Sequence, residues 1–213
     1  MIKFICEYFV RGYGMENFAA FIFASAMLAV IPGPDILFVI TQGITFGKKQ
    51  ALLTATGLVT GCIFHTTLAA FGVSVIFQRS KTAFFSLKIA GACYLLYLAC
   101  CALKSSGNLS CNINSSQSGF KKGILMNILN PKVALFFIAF LPQFVSSETK
   151  HFALDMIILG TVFAFVSWCI FAVCALLASK FNQFIKNNEN FGNYVNKFAA
   201  LAYVIIAMWL FFA

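Results

Sequence analysis

The segment Ile31-Pro32-Gly33-Pro34-Asp35 lies inside a long apolar run and decides how this chain folds. From Asn17 to Gly47 the only charged residue is Asp35. A continuous helix over this run would be about 46 Å long, whereas the hydrocarbon core of a bilayer is about 30 Å thick. Each proline removes a backbone donor and clashes with the preceding turn, so the helix must break near its middle. The segment therefore predicts a transmembrane helix that is interrupted beside an acidic residue.

A second interruption of the same kind occurs later in the chain, at Asn130-Pro131-Lys132. It lies in the apolar run from Gly123 to Ser147, in which Lys132 is the only charged residue. The two breaks are 97 to 99 residues apart. Broken helices at corresponding positions of two halves are typical of the binding sites of secondary transporters.

The composition agrees with a membrane protein and excludes a soluble one. Of 213 residues, 61% are hydrophobic and 10% are charged, with a mean hydropathy of +0.90. A soluble domain carries about 25% charged residues, so this chain has too little polar surface to be soluble in water. The formal net charge of +9 then indicates basic loops at a membrane surface rather than a nucleic-acid binder.

The gaps between charges predict six transmembrane helices, at about 17–46, 50–77, 84–104, 120–146, 152–179 and 194–213. We interpret the chain as an all-α membrane protein built from two inverted three-helix repeats, with the first and fourth helices broken. Three is an odd number, so the second repeat must insert upside down relative to the first. The predicted units are an N-terminal extension (1–14), the first repeat (15–104), a polar cytoplasmic linker (105–119) and the second repeat (120–213).

Basic residues flank the predicted helices unevenly, and this asymmetry indicates the orientation. Eight lysines lie beside the loops after the first, third and fifth helices: Lys48, Lys49, Lys104, Lys121, Lys122, Lys180, Lys186 and Lys197. Five basic residues lie on the opposite side: Lys3, Arg11, Arg79, Lys81 and Lys150. Loops rich in Lys and Arg stay in the cytoplasm, so both termini are predicted to be periplasmic.

Asp35 and Lys132 are the leading candidates for a functional site, because each follows a proline that breaks a helix and each is predicted to lie deep in the membrane. An acid and a base at corresponding positions can neutralise each other or hold the two ends of a zwitterion. The backbone around them, Pro32-Gly33-Pro34 and Asn130-Pro131, belongs to the same candidate site. The alternative for Lys132 is that its long side chain extends to the membrane interface.

His65 is a third candidate, near the middle of the second predicted helix. Gly57, Gly61 and His65 are spaced four residues apart and so lie on one helix face. Small residues let another helix approach closely, so Gly57 and Gly61 are predicted to pack against a neighbour in the same chain or in a homo-oligomer. His65 is either a hydrogen-bonding residue at this contact or a group that takes part in proton transfer or substrate contact.

The sequence lacks the motifs of ATP-driven pumps, hydrolases, metal sites and thiol pairs. The sequence has no P-loop, no G-x-S-x-G motif and no nucleotide-binding fingerprint, so we expect no ATP-driven pumping and no enzymatic activity. Two histidines and few acids predict no metal site, and we expect no cofactor. The 8 cysteines include no C-x-x-C pair and none within either break.

Several motifs, in order along the chain, resemble those of the LysE/RhtB family of bacterial amino acid exporters. They are Pro32-Gly33-Pro34-Asp35, Gly57-Leu58-Val59-Thr60-Gly61 with His65, Lys88-Ile89-Ala90-Gly91-Ala92-Cys93-Tyr94-Leu95, Asn130-Pro131-Lys132 with Phe136-Phe137, and Leu141-Pro142-Gln143-Phe144. The likeness runs from about Met15 to Phe144 and continues in hydropathy to the C-terminus. The last helix has alanines where members of this family often have glycines, and Met15 matches the usual family start.

The resemblance implies a secondary exporter of the bacterial inner membrane that works by alternating access and uses the proton gradient. Its cargo would be an amino acid or close derivative, such as homoserine, threonine, lysine, arginine, cysteine or leucine. Its partners would be that small molecule, protons and the lipid bilayer, with no nucleic acid. Three alternatives stay open at this point: a cation or metal-ion exporter on a similar scaffold, a transmembrane thiol–disulfide electron carrier, and a non-transporting membrane scaffold.

Overall fold

A computed structural model gives the fold, and it describes residues 15–73, 81–104, 119–145, 149, 151–180 and 191–212. Within these ranges the secondary structure is helical and there is no β-strand. The predicted N-terminal extension (1–14) and residues 105–118 of the predicted linker lie outside the described ranges. The all-helical class predicted from the sequence is thus confirmed for the part of the chain that can be described.

The first predicted helix is broken where its prolines require it. Helix α1 covers Met15–Val30 and helix α2 covers Pro34–Phe46, and their axes meet at a bend of 56°. Between them Gly33 has extended backbone, with φ −144° and ψ −179°. Pro34 occupies the first turn of α2, where its missing N–H costs nothing. The break predicted from the sequence is therefore confirmed.

The fourth predicted helix is broken as well, and it is less regular than expected. Helix α5 covers Gly119–Ile128 and helix α6 begins at Pro131, with a bend of 49°. Helix α6 is regular only over Pro131–Leu135 and continues as a π-helical turn (Phe136–Phe140) and a 3₁₀ turn (Leu141–Phe144). A proline at position 142 favours this change, because it cannot donate to the preceding turn.

Four further helices complete the described chain. Helix α3 covers Lys48–Leu68 and runs into a π-helical turn at Ala69–Val73, so its regular part is shorter than the predicted 50–77. Helices α4 (Lys81–Lys104), α7 (Phe152–Lys180) and α8 (Phe191–Phe212) lie within a few residues of their predicted ranges.

Two helices are long and apolar enough to cross a membrane by themselves, Lys48–Gly72 and Phe152–Lys180. The count rises to four if each bent pair, α1 with α2 and α5 with α6, is one span. Helices α4 and α8 contain shorter apolar stretches, Ile89–Lys104 and Asn196–Met208. The described residues therefore give a multi-pass membrane protein with two to four candidate spans, and the full set of six stays a prediction.

Helices α3 and α5 pack closely against each other near the second break. A Cβ atom at Gly61 would lie 2.7 Å from Cβ of Asn127, and one at Gly57 would collide with the carbonyl group of Phe120. Gly123 of α5 also approaches the backbone of α3, since a Cβ atom at this position would lie 2.6 Å from the carbonyl oxygen of Thr54. Small residues in both helices thus bring α3 against α5 along most of its length.

Most of the remaining core is aromatic and aliphatic, and it surrounds the second break. The rings of Phe136 and Phe163 have centroids 4.7 Å apart, and Phe137 lies 5.2 Å from Phe163. Large apolar side chains also cover the outside of the helices, for example Phe23, Ile63 and Phe71, which are all more than 60% exposed. An apolar exterior over an apolar core is typical of helices that face lipid.

Candidate functional site

The two helix breaks meet in space through an ion pair between their charged residues. Lys132 Nζ lies 3.0 Å from Oδ1 of Asp35, and the two side chains are 2% and 3% exposed. The ammonium group of Lys132 is therefore buried against the other half of the chain and does not extend to the membrane interface. Because an isolated charge is costly in an apolar interior, the pairing neutralises what would otherwise be two unfavourable buried groups.

The ammonium group of Lys132 makes a full set of hydrogen bonds. Besides Asp35, it donates to the carbonyl oxygens of Leu28 at 3.2 Å and Ile31 at 3.1 Å. In an unbroken helix the carbonyl oxygen of Leu28 would accept from residue 32, but Pro32 has no N–H. Lys132 thus satisfies backbone oxygens that the first break leaves free. Since an ammonium group has three donors, these three bonds use them all.

The ends of the broken helices reinforce this charge arrangement. Asp35 lies in the first turn of α2, where the helix dipole favours a negative charge. The ammonium group of Lys132 lies at the C-terminal end of α1, where the dipole favours a positive charge. Each member of the pair therefore interacts with a helix end of opposite polarity as well as with its partner.

Gly33 leaves the space in which the ion pair forms. A Cβ atom at this position would lie 2.9 Å from Oδ1 of Asp35 and 3.0 Å from Nζ of Lys132. Such distances are shorter than ordinary van der Waals contacts, so any larger residue would displace one of the charged groups. The glycine between the two prolines is required by this close approach.

His65 stabilises the second break as Lys132 stabilises the first, by bonding to a carbonyl oxygen that lies before the break. The side chain of Asn130 caps α6 by accepting a hydrogen bond from the backbone N–H of Lys132 at 3.1 Å. The carbonyl oxygen of Asn127 lies four residues before Pro131 and so lacks its usual helical donor. His65 Nε2 lies 3.0 Å from this oxygen. A carbonyl oxygen only accepts, so Nε2 carries the hydrogen and His65 is the donor.

Each half of the chain therefore donates to the broken helix of the other half. Lys132 from α6 reaches the end of α1, and His65 from α3 reaches the end of α5. The ring of His65 is 2% exposed and stacks on Phe137, with centroids 5.8 Å apart. The structure thus brings Asp35 and Lys132 together directly, whereas His65 lies at the second break.

Two small cavities of about 10 Å³ lie beside Lys132, and each has room for about one water molecule. One is partly polar and is lined by Leu28, Ala29, Asp35, Cys62, Asn127, Lys132, Val133, Phe163, Ser167 and Phe171. The other is mainly apolar and is lined by Leu28, Gly91, Leu95, Lys132, Leu135, Phe136, Phe140 and Ile206. Leu28 and Lys132 line both cavities, so the two cavities are neighbours.

The sequence did not single out two of the polar residues that line the first cavity. Asn127 lies four residues before a proline, a position from which a free carbonyl oxygen at the break could have been anticipated. Ser167 lies within a charge-free run of α7, where no pattern distinguishes it from the other small residues. Both are 1% exposed.

The described ranges contain neither a cluster of metal-binding side chains nor a disulfide. No group of three or more His, Cys, Asp or Glu residues there could hold a metal ion. The cysteines within those ranges are all free thiols: Cys62, Cys93, Cys100, Cys101, Cys169 and Cys174. Although no cysteine is part of a break, Cys62 of α3 does line the cavity beside Asp35.

Comparison with known proteins extends the resemblance drawn from the motifs. A membrane protein of uncharacterised function from Bacillus subtilis (strain 168), YrhP, is 30% identical over 82% of this chain and 89% of its own length. The leucine efflux protein of Salmonella typhimurium is 26% identical over 90% of this chain and 93% of its own length. That of Klebsiella pneumoniae is 24% identical over the same shares.

No solved structure matches the chain significantly. The sequence profile of LysE type translocators, in contrast, matches residues 26–213, which include both breaks and every helix after them. The resemblance recognised in the motifs is therefore confirmed, and the chain belongs to the LysE type translocator family of membrane transport proteins.

Proposed function

We propose that this protein exports amino acids by alternating access, with the Asp35–Lys132 pair as the centre of the substrate site. The observation that carries the proposal is the buried ion pair between two broken helices. Intramembrane acids and bases of this kind mark transport pathways, and broken helices form the binding sites of many secondary transporters. Relatives named leucine efflux proteins, similar over 90% of this chain, support an amino acid as the cargo.

The hydrogen bonds of the ion pair suit a zwitterion as substrate. Lys132 donates twice to backbone oxygens and once to Asp35. If the substrate's ammonium group takes the place of Lys132 at Asp35, the third donor of Lys132 is free for the substrate's carboxylate. The exchange replaces one ion pair by two and leaves the net charge of the site unchanged, so a zwitterion enters without an uncompensated buried charge.

The cavities are too small for an amino acid, so the helices must separate to admit one. Alternating access between two inverted three-helix repeats would provide this motion. The packing is compatible with such repeats, since α3 packs on α7 and α4 packs on α8. In the proposed repeat α3 corresponds to α7 and α4 corresponds to α8, so each of these contacts joins a helix to its counterpart in the other half. Periplasmic termini and a cytoplasmic linker complete the proposed arrangement in the bacterial inner membrane.

The mainly apolar cavity beside Lys132 would take the side chain of the substrate. Its lining comes from α1, α4, α6 and α8, and it includes Leu95, Leu135 and Ile206. An aliphatic side chain gains free energy by entering such a space, whereas a charged one would lose its hydration. An aliphatic amino acid such as leucine is therefore the proposed cargo.

Proton coupling would also act through Asp35. The carboxylate can hold the substrate's ammonium group or a proton but not both, and this competition is what exchange of the two requires. His65 would assist by stabilising the second break through its hydrogen bond to the carbonyl oxygen of Asn127. Inward proton movement would then drive outward movement of the amino acid.

The test is export by an Asp35→Asn variant, with Asp155→Asn as the matched control. Both carboxylates are buried, but Asp155 lies in the first turn of α7, where it accepts from Thr149 Oγ1 at 2.7 Å. Cells loaded with radiolabelled leucine are expected to lose it rapidly with wild type and Asp155→Asn, and at the background rate with Asp35→Asn. Equal amounts of protein in the membrane are checked by immunoblot.

Efflux by Asp35→Asn at the wild-type rate would contradict the role of Asp35. Wild-type protein that exports no amino acid from a panel of aliphatic, polar and basic ones would contradict the proposed function as a whole.

A further inference from the structure

Two side-chain atoms of residues that line the partly polar cavity beside Asp35 lack a hydrogen-bond partner. They are Oδ1 of Asn127, on α5, and Oγ of Ser167, on α7. Both residues line this cavity and are 1% exposed. A buried polar atom without a partner costs about 1–3 kcal/mol, so such atoms are rare and need an explanation.

The chemistry of these atoms defines the group that would satisfy them. An amide oxygen only accepts hydrogen bonds, and a serine hydroxyl can accept as well as donate. The carboxylate of Asp35, which lines the same cavity, is a third acceptor with a negative charge. A carboxylate ligand would be repelled by the amide oxygen and by Asp35. Lys132 lines the cavity too and is bonded to Asp35. Once Lys132 gives up that bond, as proposed above, the three acceptors suit a positively charged donor.

We propose that Asp35, Asn127 and Ser167 together bind the primary ammonium group of the substrate, one N–H donor to each residue. This inference rests on the proposed export function and adds two binding residues and a rule of selectivity. The cavity has the volume of about one water molecule, which is also about the volume of an ammonium group. Substrates would need a free primary amino group, so N-methylated amino acids and the corresponding hydroxy acids would be poor substrates.

The experiment compares two ligands that differ by one donor, using the full-length protein in liposomes. Liposomes loaded with leucine take up external radiolabelled leucine by exchange. The measured quantities are the concentrations of unlabelled leucine and of N-methylleucine that halve this uptake. The ratio of the two concentrations does not depend on how much active protein each preparation contains. For wild type we expect N-methylleucine to be at least about ten-fold weaker, since it lacks one charge-assisted hydrogen bond.

The variants are Ser167→Ala and Asn127→Leu, each of which removes one acceptor and keeps the approximate shape. In both we expect leucine to weaken about ten-fold and N-methylleucine to change less than two-fold, so that the ratio falls toward one. Ser167→Thr keeps a hydroxyl and is expected to retain the wild-type ratio. Ser25→Ala is the matched control, because Ser25 Oγ is also buried without a partner but does not line this cavity.

Two results would overturn the proposal. An unchanged ratio in both acceptor variants would mean that the cavity holds a water molecule or nothing, and an equal loss for both ligands would mean a purely structural role. Failure of the export function looks different, because the wild-type liposomes would then exchange neither leucine nor any other amino acid. If one acceptor variant does not fold, the other still decides the question.

Discussion

His65 Nε2 lies 3.0 Å from the carbonyl oxygen of Asn127, an oxygen that Pro131 deprives of its helical donor. The same carbonyl oxygen also accepts from the backbone N–H of Asn130 at 3.0 Å. The bond from His65 crosses from the first half of the chain to the second. The Nε2–H of a neutral or of a protonated ring can make it, so the bond requires a hydrogen on Nε2 but not a positive charge.

The first prediction separates a hydrogen-bonding role of His65 from a proton-carrying one. His65→Gln retains an N–H donor of similar reach, and His65→Leu does not. If the donor is what matters, efflux of leucine is retained within about three-fold in His65→Gln and falls by ten-fold or more in His65→Leu. Loss of efflux in both variants to the same extent, with normal membrane levels, would instead assign the proton role to His65.

The second prediction concerns the free energy of unfolding and the ion pair. Lys132→Met leaves Asp35 buried without its partner, which costs about 3–5 kcal/mol. The double variant Asp35→Asn/Lys132→Met removes both charges and should recover most of that loss, although it should not export. Thermal unfolding of the detergent-solubilised protein, followed by size-exclusion chromatography, gives the order wild type, double variant, single variant. A double variant no more stable than Lys132→Met would contradict the pairing.

The third prediction is that Gly33→Ala separates the two charges. The added methyl group would lie within about 3 Å of both Asp35 Oδ1 and Lys132 Nζ, so at least one must move. Export is expected to fall by ten-fold or more, while the protein still reaches the membrane. Gly72→Ala is the control, because a Cβ atom there has no neighbour closer than 3.9 Å. Normal export by Gly33→Ala would show that the site tolerates a wider separation.

The fourth prediction tests the contact between α3 and α5. Gly61→Val would force Asn127 away from α3 and is expected to lower the free energy of unfolding by about 1–3 kcal/mol. The midpoint of thermal unfolding should fall accordingly. Thr67→Val, at an exposed position of the same helix, should leave the midpoint unchanged. Unchanged stability of Gly61→Val would mean that the two helices can separate without cost.

The sequence was sufficient to predict the helix breaks and the charges beside them, because proline and charge act locally. Pro34 and Pro131 end helical hydrogen bonding whatever surrounds them, and the apolar runs on either side require helices. Contacts between distant helices could not be predicted in the same way. That Asp35 meets Lys132 was only one of two alternatives, since the length of a lysine side chain allows it to reach the interface.

The roles of Asn127 and Ser167 depend on how α5 and α7 are rotated about their axes, which hydropathy does not reveal. All faces of α7 are apolar, so no periodicity distinguishes its inner face from its outer face. The π-helical turns were likewise missed. The turn at Phe136–Phe140 precedes Pro142, which cannot donate to it, whereas Ala69–Val73 has no such signal in the sequence.

The turn at Gly47 has a mechanical consequence. This single residue, with φ +79°, separates Phe46 at the end of α2 from Lys48 at the start of α3. A connection this short holds α2 and α3 together as a hairpin, with Asp35 at the far end of α2 and His65 near the far end of α3. Both breaks therefore receive a side chain from the same hairpin, and a residue inserted at this turn is expected to shift Asp35 and His65 relative to each other.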